Sequence, residues 1–281
     1  MSNKPVYAIV GLGLLGGSYA KGLHDAGYHV IGIARRQETI DYALANNFIT
    51  EGSIQPSDIH KADIVILCLY PKVMIQWIQE HKHDFKPGAI VSDIAGVKRN
   101  VVKPIQYILK DVDAEFISTH PMAGKEVSGI EHADPSIFRQ ANFIIVPTVD
   151  NSEKAINAMM DVADILKFHH ISLLSIDEHD RMIGFLSQLT HVIAVSLMNT
   201  HDHDKLVDYT GDSFRDLTRI AKINEDMWSE LFLFNKDILL EEIEAFEASL
   251  DTFKQALKND DEETMKHLFI QSTNRRKKFD K

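Results

Sequence analysis

The stretch "VYAIVGLGLLGGS", residues 6–18, decides the fold. A short β-branched run ends at Gly11, and Gly11, Gly13 and Gly16 then follow in G-x-G-x-x-G spacing as a helical pattern opens. Each glycine has a physical task in such a strand–turn–helix unit. Gly11 permits the tight turn, Gly13 lets the backbone approach a pyrophosphate, and Gly16 lets helix and strand pack closely. The helix start at Leu14 and Leu15 adds free N–H groups and the positive end of the helix dipole. The pattern predicts a dinucleotide-binding loop, with Gly11, Gly13, Leu14, Leu15 and Gly16 as its residues.

Outward from this loop the chain alternates. Short β-branched runs at 6–11, 29–34, 63–69, 89–94, 115–119 and 142–148 are mostly separated by helical patterns such as "SYAKGLHDAG" and "PKVMIQWIQEHK". Near-continuous apolar strands with helices between them indicate a parallel sheet covered on both faces. A helix at about 152–166 and a last strand at 169–174 complete this half. After Ser175 the periodicity is helical nearly throughout. The expected architecture is a Rossmann-type doubly wound α/β domain over 1–175, closely joined to an all-α domain over 176–281. Within a helix expected from Met227 to Lys258, Leu239, Ile243, Phe246, Leu250, Phe253 and Leu257 fall at intervals of 4, 3, 4, 3 and 4. Such a stripe packs along its whole length. At about 45 Å it is too long for one small helical domain to cover, which predicts a homodimer through the C-terminal helices.

Composition narrows the classes. The 281 residues are 44% hydrophobic and carry a formal charge of −11, which argues against nucleic acid as a partner. The one dense basic run, Arg275, Arg276, Lys277 and Lys278, reads as a solvated helix end. The lone cysteine, Cys68, excludes an internal disulfide and reads as buried filler in "ADIVILCL". There is no signal peptide pattern and no apolar run expected to span a bilayer, so a soluble cytoplasmic protein is expected. His201 and His203 in "THDHDK" read as a solvated loop, and no metal is expected.

The segment "FISTHPMAGKE" (116–126) ends an apolar run in His120-Pro121 and turns at Gly124. In a sheet of this kind the nicotinamide end of a dinucleotide lies past the carboxyl ends of the strands. His120 therefore stands where an imidazole can sit beside a hydride acceptor.

With these pieces in place, the chain resembles the prephenate/arogenate dehydrogenases of tyrosine biosynthesis. The resemblance spans essentially the whole chain and rests on "VGLGLLGGS", "DIAGVK" (93–98), "HPMAGKE" (120–126), "HDRMIGFLSQLTH" (179–191) and "FRDLTRIAKINEDMW" (214–228). It implies oxidative decarboxylation, in which a cyclohexadienol gives up hydride to nicotinamide, its hydroxyl loses a proton, and the ring carboxylate leaves as CO2. By matching position His120 is the catalytic acid/base, Arg219 binds a substrate carboxylate, and His191, Glu126, Gln188 and Gly96 are further pocket positions, Glu126 orienting or gating. Trp228 is either a pocket or a core aromatic. Many members carry Ser at the position of Gly96, where the hydroxyl contacts the histidine and substrate, and His at the position of Gln188. The pocket is therefore altered, which leaves prephenate and arogenate both open.

An NAD site places Asp or Glu at the end of the second strand. Here that strand reads "HVIGIARRQET", with Ala34 at the acidic position and Arg35 and Arg36 after it. Without the carboxylate, and with two guanidinium groups for a 2′-phosphate, NADP is the expected cofactor; NAD stays open because Glu38 is near. Two other readings also remain open. One is a different nicotinamide-dependent hydroxy-acid dehydrogenase using Lys98 or Lys125 as base. The other is a dinucleotide-sensing protein without turnover.

Overall fold

The structure, a computed structural model, describes residues 4–125 and 127–280. Eight strands form one sheet: β1 Tyr7–Val10, β2 Val30–Ile33, β3 Glu51–Ser53, β4 Ile64–Leu67, β5 Ala89–Asp93, β6 Ala114–Pro121, β7 Asn142–Val146 and β8 His170–Leu173. Their order is β3-β2-β1-β4-β5-β6-β7-β8. The chain winds from β1 to one edge and then returns past β1 to build the other side, so the switch point lies between β1 and β4. Strand alternation explains how both faces are covered. In β1, Tyr7 and Ile9 join the core under helices α1 (Leu14–Asp25) and α5 (Glu153–Ile165), beside Tyr19, Leu23, Met159 and Val162. Ala8 and Val10 face the opposite core under α3 (Pro71–His81) and α4 (Val102–Leu109), beside Met74, Ile78, Ile105 and Leu109. Each fully buried aliphatic side chain contributes about 1.5–3 kcal/mol, and this two-faced burial is what the near-continuous apolar strands encode.

The sheet departs from the sequence expectation in two places. β3 is an additional, three-residue edge strand paired in parallel with β2. β7 runs antiparallel to β6, with His120 opposite Ile144. Among its described residues the β6–β7 connection holds only short 3₁₀ turns at Ile130–His132 and Pro135–Phe138. A parallel return needs a crossover connection, usually a helix, and this segment supplies none. β6 ends at His120-Pro121, as the run quoted from 116–126 predicts, so both residues lie within its last rungs.

Beyond β8 the chain is helical: α2 is Gln37–Ala45 in the first half, and α6 Ile176–Ile183, α7 Thr190–Met198, α8 Asp212–Thr218, α9 Glu225–Phe234, α10 Lys236–Lys258 and α11 Glu262–Arg276 follow. The helix expected over 227–258 is interrupted at Asn235. That residue has φ −118° and ψ 25°, and its side-chain amide donates to the Asp180 carbonyl and to Gln188 Oε1. Packing divides the chain into two compact units, Met1–Asn235 and Lys236–Lys281, whereas the change of secondary structure follows β8. In the second unit α10 and α11 pack together, with the Phe253 and Phe269 rings 6.0 Å apart. Of the expected stripe Leu239 is buried and Ile243 and Phe253 are half-buried, but Phe246, Leu250 and Leu257 are exposed.

A further correction concerns Ile176–Met198, one continuous helical stretch with a mean hydropathy of 1.3. By length and composition alone it could cross a bilayer, which the sequence reading did not expect. Its buried His179, Asp180 and Gln188 are nevertheless hydrogen-bonded to other parts of the fold, as in a core helix.

One buried ion pair fixes the region that follows. Asp93, the last residue of β5, and Lys98 are both fully buried, with Lys98 Nζ 2.9 Å from Asp93 Oδ2 and 2.7 Å from the Thr119 carbonyl. Asp93 also accepts from Ser118 Oγ, Thr119 N and Ala95 N. Removing one partner of such a pair strands a buried charge at a cost of about 3–5 kcal/mol. Lys98→Ala is therefore expected to lower the unfolding free energy from urea titration by an amount in that range, and an unchanged free energy would show that the pair holds nothing.

Candidate active site

The glycine loop lies at the switch point. Gly11 has φ +92°, and a Cβ there would meet the Cys68 carbonyl; a Cβ on Gly16 would strike the Gly11 carbonyl. Gly13 has open space where its Cβ would be, so the cradle is closed on the protein side and free on the outer side. α1 begins with no side-chain cap and no acidic residue in its first turn, leaving the N–H groups of its first turn, at Leu14, Leu15 and Gly16, without intrahelical partners. These residues fit a dinucleotide pyrophosphate. At the end of β2, Ala34 is followed by Arg35 and Arg36, both exposed and in no ion pair among the described residues; Glu38 is exposed in the first turn of α2.

His120 comes from β6 and is half-buried. Its Nδ1 lies 2.9 Å from Nε2 of His179 on α6. His179 Nδ1 lies 2.8 Å from Asp180 Oδ1, and the Asp180 carboxylate accepts the backbone N–H groups of Lys98 (2.9 Å) and Arg99 (2.8 Å). Gly96 faces the same place: a Cβ there would lie 3.8 Å from His120 Cε1 and 3.7 Å from the Leu231 methyls.

The helical half closes round this point through α9. A π-helical stretch, Gly184–Leu189, sits between α6 and α7, a feature that recurs at functional sites. It carries Gln188, which is buried with its amide occupied on both sides, Nε2 donating to the Leu231 carbonyl and Oε1 accepting from Asn235. Gln188 therefore positions α9. His191, at the start of α7, donates from Nδ1 to the Ser187 carbonyl and packs against Trp228 of α9, the rings tilted by 30° with centroids 3.7 Å apart. Arg219 opens a 3₁₀ turn, Arg219–Ala221, that packs against α7. Glu126 lies outside the described residues. Lys98, a candidate base for a rival chemistry, has its ammonium committed to Asp93 and Thr119; Lys125 is exposed. His201 and His203 are exposed.

Two sequence profiles cover most of the chain. Residues 19–171 match the prephenate dehydrogenase nucleotide-binding domain, and residues 175–271 match the prephenate dehydrogenase dimerization domain. The chain belongs to the prephenate dehydrogenase family. Among its relatives, the prephenate dehydrogenase of Lactococcus lactis subsp. cremoris is 29% identical over 93% of this chain and 73% of its own. The cyclohexadienyl dehydrogenase of Zymomonas mobilis subsp. mobilis is 28% identical over 94% and 92%. Prephenate dehydrogenase from A. aeolicus, solved in complex with hydroxyphenyl propionate and NAD+, superposes with a TM-score of 0.88 at 28% identity, covering 98% of each chain.

Against this family background, the sequence reading did not single out His179 and Asp180. Both lie in the quoted motif "HDRMIGFLSQLTH", and the signal available was an adjacent His-Asp pair in a helix whose first turn is otherwise capped by Ser175 and Glu178. Burial pushes the His120 imidazole well below its ordinary value, helped by His179 and Lys98. Burial likewise lowers His179, opposed by its bond to Asp180. Both shifts favour the neutral rings in the native protein, while histidines of an unfolded chain take up protons below about pH 6.5. The unfolded state binds more protons as pH falls through that value, so native stability falls with it. Tm should decrease from pH 7.5 to 5.5, and His179→Gln, lacking one of these rings, should show a smaller decrease; equal slopes would contradict the assignment.

Proposed function

We propose that this chain catalyses NAD(P)-dependent oxidative decarboxylation of prephenate or arogenate in tyrosine biosynthesis. The observation that carries the reading is a half-buried imidazole at the carboxyl end of β6, hydrogen-bonded through Nδ1 to His179, in a fold whose glycine cradle fits a dinucleotide. When bound, the nicotinamide supplies the two-electron acceptor. His120 takes the proton of the substrate's ring hydroxyl as that C–O bond gains carbonyl character, and the ring carboxylate departs as CO2. A histidine suits the task because its ring can accept a proton and give it back, and the burial that disfavours its charge leaves it free to accept. Arg219 pairs with a substrate carboxylate through its guanidinium fork. His191, held by Ser187 and Trp228, and Gly96 line the pocket, and Glu126 orients or gates it.

In this reading residues 1–175 bind the cofactor and 176–281 bind substrate and form a homodimer. The exposed Phe246, Leu250 and Leu257 of α10 and the match to a dimerization domain support the latter. The lone Cys68, its thiol pushed up by burial, is in keeping with a cytoplasmic enzyme. NADP is the preferred cofactor. Ala34 removes the carboxylate that would repel a 2′-phosphate, and Arg35 and Arg36 stand exposed beside it.

Substrate-dependent absorbance at 340 nm, with prephenate and arogenate in turn, tests the reaction; no change with either would refute it. Arg219→Ala should raise KM by about 30-fold or more, the equivalent of losing a charge-assisted pair worth about 2–5 kcal/mol, and an unchanged KM would make the residue structural. Comparing kcat/KM for the two cofactors decides the preference. Arg35→Ala should weaken NADP selectively, and a clear preference of the native enzyme for NAD would overturn the assignment.

A further inference from the structure

We infer that His179 and Asp180 form a positioning pair that fixes the tautomer of His120, leaving its Nε2 bare to accept the substrate proton, in place of a hydroxyl at position 96. The inference deepens the proposed reaction and rests on it.

The protons follow from the acceptors. Asp180 receives two backbone N–H groups, from Lys98 on Oδ1 and Arg99 on Oδ2. It is therefore acting as a carboxylate, and the nitrogen 2.8 Å from it, His179 Nδ1, must donate. A neutral imidazole carries one N–H, so His179 Nε2 is an acceptor. The atom 2.9 Å from it is His120 Nδ1, which must then carry the hydrogen. Neutral His120 is left with a bare Nε2. The environment supports the neutral forms this assignment needs, because both rings are buried enough to disfavour charge.

During the reaction the substrate O–H bond breaks and the proton joins His120 Nε2. The O–H electron pair becomes the carbonyl π bond as the C–H bond on the same carbon gives up its hydride to the two-electron acceptor that the nicotinamide would supply. When the ring C–CO2 bond breaks, its electron pair aromatises the ring, and the oxygen, then a phenolate, takes the proton back from His120. The Nδ1–H of His120 stays in place, and the new imidazolium is stabilised through His179 by the Asp180 carboxylate. The groups around this chain are accounted for. Lys98 and Asp93 lie behind Thr119 as a paired, fully buried couple, and the Arg99 guanidinium is turned to Asp177, 2.8 Å away.

Gly96 explains why such a pair is needed here. No side chain at that position can hold the ring, yet a Cβ would fit at ordinary contact distance from His120 and Leu231. His120 Nδ1 is reached instead from α6, by a residue 59 positions along the chain.

The test compares His179→Leu and His179→Gln in the full-length protein, with kcat, KM for substrate, cofactor affinity and Tm measured on each. His179→Leu should lower kcat by about 100-fold, as loss of an orienting partner or a wrong tautomer does, with KM and cofactor affinity within about threefold. His179→Gln keeps an oxygen that can accept from His120 Nδ1 and should recover much of that loss. Gly96→Ser in the His179→Leu background should also raise kcat. A folded His179→Leu enzyme with near-native kcat would overturn the inference, as would equal damage from Leu and Gln. Should His179→Leu not fold, the native protein labelled with 15N-histidine decides the matter. Its spectrum at pH 8 should show His120 protonated at Nδ1 and bare at Nε2, and the reverse would overturn the assignment. That readout needs no substrate, so it stands apart from failure of the proposed reaction itself.

Discussion

Everything around the candidate site depends on one buried ion pair, Asp93 with Lys98. Two charges taken out of water are costly, and the attraction between them repays that cost only if their remaining hydrogen-bonding capacity is met. Here it is met by strand ends. Asp93 gathers the Ser118 hydroxyl and the backbone of Ala95 and Thr119, and Lys98 reaches the Thr119 carbonyl. Thr119 immediately precedes His120, so the pair fixes the peptide plane from which the imidazole projects. It also pins the loop between β5 and α4, which carries Gly96 and the backbone N–H groups that Asp180 accepts. What the pair contributes is geometry more than stability.

Within the Met1–Asn235 unit, α6, the π-helical stretch and α9 are tied to this frame by polar contacts as well as by the apolar packing of Ile176, Leu231 and Phe234. Asp180 bonds to the loop after β5, Asn235 bonds back to Asp180 and Gln188, and Gln188 bonds to Leu231. Each bond satisfies a group that would otherwise be buried without a partner, at about 1–3 kcal/mol apiece. The break between α9 and α10 is thus a product of tertiary structure: Asn235 leaves the helical path where its side chain can close this chain of contacts.

That origin explains which features the sequence made legible. The glycine loop was readable because positive φ at Gly11 and the close approach at Gly16 are local demands that only glycine meets. The central strands were readable because both of their faces are buried. β3 was not, since three residues reading Glu-Gly-Ser at an edge carry no apolar signal. The helix break was hidden because the apolar spacing of 239–257 gives no warning of Asn235, whose hydrogen bonds reach 47 and 55 residues back. His120 stood out by its place at a strand end. His179 and Asp180 did not, because an acidic and a basic residue near a helix start look like solvated surface until β6 is laid against them.

The π-helical stretch Gly184–Leu189 sets the phase of the helix that carries half of the site. Regular α-helix turns about 100° per residue, so twelve residues from His179 to His191 would leave the two imidazoles about 120° apart around the axis. One wider turn of i→i+5 bonding absorbs about one residue's worth of rotation and brings them back to nearly the same side. His179 can then meet β6 while His191 meets α9, from a single continuous rod. The reach of the site along that rod is therefore a matter of counting: a helix one residue shorter through this turn, and regularly wound, would keep the same phase, whereas the present sequence wound regularly would point one of its histidines away.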